Sequence, residues 1–87
     1  MKRIIERAEK DISALGMWGA VNQSQLEFMN AGMTLRAFED GVIKNNEVVA
    51  EAVTNAFLGV FRMVTILNLD PDVMLEKIKN TKCEPKK

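Results

Sequence analysis

The segment from residue 47 to residue 68 constrains this chain more than any other. Val48, Val49, Val53, Ala56, Phe57, Leu58, Val60, Phe61, Val64, Ile66 and Leu67 fall on nearly every side of a helix with 3.6 residues per turn. A helix apolar almost all round belongs at the centre of a fold, with partners on several sides. Only Glu51, Asn55, Arg62 and Thr65 form a narrow polar line, its one wet or functional stripe.

The rest of the chain supplies those partners. In residues 2–15, Ile4, Ile5, Ala8, Ile12 and Leu15 recur at helical spacing, while Lys2–Glu6, Glu6–Lys10 and Arg7–Asp11 stand four apart on the other face. Gly16 and Gly19 bracket Met17 and Trp18, and Ser24-Gln25-Leu26-Glu27 reads as a capping box, so residues 16–23 are predicted to be a loop. The next segment, 24–40, carries Leu26, Met29, Met33 and Ala37 on one stripe and Phe28, Ala31, Leu35 and Phe38 on another, enough for two neighbours. Asp40-Gly41 stops it, and Asn45-Asn46 offer cap oxygens to the apolar segment. Asp70-Pro71-Asp72 then opens a last helix, with Asp70 as cap and Pro71 at the first position. No stretch shows the two-residue period of a strand.

The expected fold is therefore all-α. A single domain spans residues 1–82, with helices at about 2–15, 24–40, 46–68 and 71–81, followed by a flexible tail at 83–87. The second and third helices are expected to form a four-helix core in a homodimer, because 87 residues with 47% hydrophobic content cannot easily hide all their apolar surface in one protomer. Met29, Met33, Phe57, Phe61 and Val64 are expected in that core or interface, and Trp18 is expected to close the core end of the first two helices.

Composition narrows the function classes. Twelve Lys and Arg balance twelve Asp and Glu, so no global field draws in nucleic acid or an anionic membrane, and neither is an expected partner. The chain has no histidine and no tyrosine, which excludes Ser-His-Asp, Cys-His and zinc chemistry. Its one cysteine, Cys83, can form no internal disulfide, and the first dozen residues carry charges every two or three positions, unlike a signal peptide; both fit the cytoplasm. Lys77, Lys79, Lys82, Lys86 and Lys87 are diluted by Glu76 and Glu84 and read as a solvated face.

One order of features goes beyond composition. Trp18-Gly19, then Gln23 or Gln25, Ala31-x-x-Thr34-Leu35-x-Ala37, Glu51 to Phe57, Arg62, and Asn68-Leu69-Asp70-Pro71 before a lysine-rich last helix follow one another in the chain. Over roughly residues 15–82 this order resembles the MazG-like all-α nucleoside triphosphate pyrophosphohydrolases. The resemblance implies a four-helix MazG-like protomer and a magnesium ion held by four motif carboxylates, whose positions fall here on Ala31, Thr34, Ala52 and Asn55. None of these is a carboxylate, whereas magnesium demands hard, preferably anionic oxygens. The expectation is thus a non-catalytic helical protein with no catalytic residue, metal or cofactor, acting by macromolecular binding on an unidentified protein partner, in the manner of a small phage-type effector that modulates a host protein. Asn30, Ala31, Thr34, Glu51, Ala52 and Asn55 are expected to line the vestigial pocket. The alternative is a nucleotide-binding sensor or residual magnesium-dependent pyrophosphohydrolase, with Glu51, Glu47, Glu39 and Glu27 as displaced carboxylates. Against it, Glu51 lies one position before the motif slot, about 100° round the helix.

Overall fold

The computed structural model describes residues 2–81 and is all-α, with no strand among the described residues. Its elements are α1 (Lys2–Glu39), α2 (Asn46–Ile66) and α3 (Pro71–Asn80). α1 is two helical arms that meet at a kink, so the loop expected at 16–23 is corrected to a bend at a single residue. Gly16 alone makes the bend, at φ 76° and ψ 163°, and helical bonding resumes immediately after it. That backbone region is open essentially to glycine only. The loop reading failed because a single glycine absorbs the whole change of direction, leaving Met17 to Gln23 free to continue as helix. Nor is Ser24 a cap: its hydroxyl donates to the Ala20 carbonyl at 2.8 Å, a back-bond inside the helix.

α1 ends at the Asp40-Gly41 turn, where the Val42 N–H donates to the Ala37 carbonyl at 2.9 Å. α2 opens on Asn45, whose side chain accepts from the Glu47 N–H at 2.8 Å, and α3 opens on Asp70, which accepts from the Asp72 N–H at 2.9 Å. α2 stops at Ile66, short of the expected residue 68, because Asn68 turns to φ 53°. The proposed tail at 83–87 lies outside the described residues.

α1 and α2 form an antiparallel hairpin, since Phe28 meets Gly59 while Thr34, later in α1, shares a groove with Val48 and Asn55, earlier in α2. The seam between them is built from small residues. Ala20, Ser24, Ala31 and Thr34 of α1 are buried at spacings of three, four and seven, against Ala52 and Gly59 of α2. At Gly59 side chains of α1 fill the space a Cβ would take: it would stand 3.1 Å from the Phe28 ring and 3.4 Å from Glu27 Oε1.

This small-residue seam leaves the large side chains outside it. The buried hydrophobic residues are Ala8, Ala20, Ala31, Ala52, Phe61 and Val64, mostly alanines, whereas nineteen large hydrophobic residues among the described ones are exposed. Phe61 and Val64 lie in the protomer's core. Trp18, at 75% exposure, does not close it, and Met29 (63%), Met33 (69%) and Phe57 (55%) are also outside it. α3 contributes no buried residue. By length and composition alone, α2 is apolar enough to cross a bilayer, with a mean hydropathy of 1.4 and 28% of that stretch buried.

Candidate functional site

The polar line of α2 divides between two different environments. Arg62 is not wet: it is 4% exposed, the most buried charge among the described residues. Its Nη2 lies 2.9 Å from Asp11 Oδ2, its Nε donates to the same oxygen at 3.0 Å, and its Nη1 donates to Glu27 Oε1. Arg7 Nε donates to the other Asp11 oxygen at 3.1 Å, and Gln23 Nε2 donates to Glu27 Oε2 at 3.3 Å. Arg62 therefore ties the arm before the Gly16 kink to the arm after it, through one carboxylate from each.

The charges in this network hold one another in place. Burial alone would raise the Asp11 carboxyl, but the hydrogen bonds and charges of Arg7 and Arg62 outweigh it and hold the group below the usual carboxylate value. Burial likewise opposes the Arg62 charge, yet Glu27 and Asp11 overcome it and raise its pKa above the ordinary guanidinium value. Both carboxylates are thereby committed to Arg62, which removes Glu27 from any rebuilt metal site. The sequence places Arg62 on the one wet or functional stripe of this helix; the signals for burial are its isolation among apolar residues and the position of Asp11 beside Ile12, at the margin of the apolar face.

The other half of the line opens on a groove. Asn30 and Thr34 of α1 face Val48, Glu51, Ala52 and Asn55 of α2 around an open volume of about 240 Å³. Five of the six residues expected in a vestigial pocket meet there. Ala31 does not: it is buried in the helix seam and absent from the groove lining. Ala52 belongs to both, at 4% exposure.

Chemically the groove offers one carboxylate, two amides and a hydroxyl. Magnesium sites of the kind the resemblance implies use several hard anionic oxygens bridged to phosphates, and a single Glu51 does not meet that demand. Among the described residues no group of three or more His, Cys, Asp or Glu side chains is gathered to hold a metal ion. The volume also lies below the roughly 300–1,000 Å³ of ordinary small-molecule pockets.

A third feature is apolar. Phe57, Val60, Phe61 and Val64 of α2 face Pro71, Met74, Leu75 and Ile78 of α3 around about 130 Å³. The Phe57 and Phe61 rings meet edge to face, with centroids 5.2 Å apart. Comparisons with known protein families, with curated proteins and with solved structures find no match to this chain.

Proposed function

We propose that this chain is a non-catalytic helical protein that acts by binding another macromolecule, on a degenerate MazG-like scaffold that assembles as a homodimer with a four-helix core. The observation that carries this reading is the imbalance of surfaces. Large apolar side chains crowd the outside, and exposed apolar surface in excess of what a small soluble monomer shows marks a docking site. Trp18, Met29 and Met33 are each exposed and, at spacings of eleven and four residues, lie toward one side of α1; we assign them to a heterologous protein partner. The cytoplasm, where a phage-type effector would meet a host protein, is the proposed setting. The Arg62 network supports a water-soluble hairpin, since moving α2 into lipid would carry a paired guanidinium and two carboxylates with it or break the pairs.

The groove supports the non-catalytic half of the proposal by its single carboxylate and small volume. Its amides and hydroxyl also favour a second reading, a nucleotide sensor that binds without metal. The test is a panel of nucleoside triphosphates with magnesium, followed by pyrophosphate release and by calorimetry. We expect neither turnover nor heat. Heat without turnover would favour the sensor, and turnover would overturn the non-catalytic reading. For the partner, Met29→Lys with Met33→Lys should abolish a capture that the unmodified chain makes.

A further inference from the structure

We propose that residues 2–15 of α1 form a strap that opens as a unit about Gly16, with the Arg62–Asp11 pair as its latch. The device requires neither ligand nor partner. Gly16 is the one residue of α1 with non-helical dihedrals, so a change of direction there leaves both arms helical. The arm before it is lightly packed. Ala8 is its one buried residue, Ile4, Ile5, Asp11 and Ile12 are half-buried, and Leu15 is 51% exposed. Among the described residues its one ion pair to α2 is the one that Asp11 makes with Arg62. A segment with so few buried apolar side chains opens at a lower free energy than the fold as a whole.

The latch is built so that it parts without stranding a charge. Arg62 uses two edges: Nε and Nη2 hold Asp11 Oδ2 at 3.0 and 2.9 Å, and Nη1 holds Glu27 Oε1. Glu27 lies beyond the kink, on the arm that stays, with Gln23 Nε2 on its other oxygen at 3.3 Å. With the strap open, Arg62 therefore keeps a carboxylate of its own hairpin. Asp11 moves into water together with Arg7, whose Nε holds its other oxygen at 3.1 Å. Breaking a buried ion pair is strongly unfavourable when it leaves one charge behind uncompensated. Here each half keeps a partner, so the pair between the arms is the link that can break. Closed, the strap helps hold the guanidinium at 4% exposure; open, it uncovers the Nε–Nη2 edge.

Amide hydrogen exchange of the full chain, read residue by residue by nuclear magnetic resonance over a series of low urea concentrations at one protein concentration, tests this. The N–H groups from residue 6 onward are the ones that bond within the arm. We expect amides 6–15 to exchange about 10-fold or more faster than amides 20–35, with a smaller urea dependence, because their opening exposes only part of the fold. Two variants separate a latch from a general stabiliser. Asp11→Asn weakens a bond present only in the closed form, so it should speed amides 6–15 and 20–35 by one common factor, about 10-fold. Glu27→Gln weakens a bond that the closed and open forms share, so it should speed amides 20–35 about 10-fold and leave amides 6–15 within about 2-fold of the wild type. One exchange level with one urea slope across both arms overturns the strap, as does a Glu27→Gln that speeds both arms equally. Unchanged exchange of the arm in Asp11→Asn overturns the latch. The wild-type and Glu27→Gln measurements decide the matter by themselves should Asp11→Asn fail to fold.

Discussion

Arg62 and Asp11 stand 51 positions apart in the chain, yet Arg62 Nη2 lies 2.9 Å from Asp11 Oδ2 with the guanidinium almost wholly buried. Among the described residues the pair, completed by Glu27, is the one strong polar tie between the arm of α1 before Gly16 and the rest of the hairpin. Removing Arg62 would leave two carboxylates partly buried without their cation. Arg62→Met should therefore lose about 3 kcal/mol of stability in urea unfolding, more than Glu27→Gln, at matched protein concentration.

The same network sets an acid limit. The Asp11 carboxyl is held below its ordinary value, so its contribution is fully present above the unfolded-state value of about 3.9 and is lost as pH falls through the lower folded-state value. Thermal melts of the wild type should fall with acidification in that window. Asp11→Asn should start lower at neutral pH and show a shallower acid slope, and equal slopes would count against the assignment.

Two glycines of α1 should respond oppositely to alanine. At Gly16 a Cβ meets nothing within 4 Å, but φ 76° and ψ 163° are closed to it, so Gly16→Ala should cost about 1–3 kcal/mol through the backbone alone. At Gly32 the backbone is helical and the space equally open, so Gly32→Ala should gain up to about 1 kcal/mol. Paired denaturant curves read the contrast directly.

Gly59 is a packing glycine. A side chain there meets the Phe28 ring at 3.1 Å and the Arg62-bound oxygen of Glu27 at 3.4 Å. Gly59→Ala adds a helix-favouring methyl while pushing an exposed ring outward, and the two should cancel to within about 1 kcal/mol. Gly59→Leu has no such escape and should destabilise the hairpin by about 2–3 kcal/mol in the same unfolding assay.

How much of this was legible in the chain depended on the range of the interaction. That the fold is all-α follows from periods and caps that act within four residues: the apolar turns of α2, the Asn45 side chain on the Glu47 N–H, and the Asp70-Pro71-Asp72 start of α3. The gathering of Asn30, Thr34, Glu51, Ala52 and Asn55 around one groove was anticipated only through a resemblance, because residues on two helices meet through the register of the hairpin, which no local period specifies.

The sequence by itself determined that the fold is all-α, which side chains cap α2 and α3, and that the surplus of apolar side chains would exceed one small core. Tertiary structure alone decided three other matters. It made Gly16 a kink inside one helix rather than the start of a loop, since a capping box and a helix interior share the same Ser-x-x-Glu letters until the chain ahead of them is placed. It made Arg62, one member of a wet or functional stripe, a buried tie, because the carboxylates that make its burial tolerable lie on both sides of that kink. And it placed alanine and glycine in the seam, leaving Phe28, Leu35, Val53 and Phe57 outside. Local propensity acts through the backbone of neighbouring residues, whereas burial is a property of the whole assembled surface, so only the fold could decide which apolar residues are core and which await a partner.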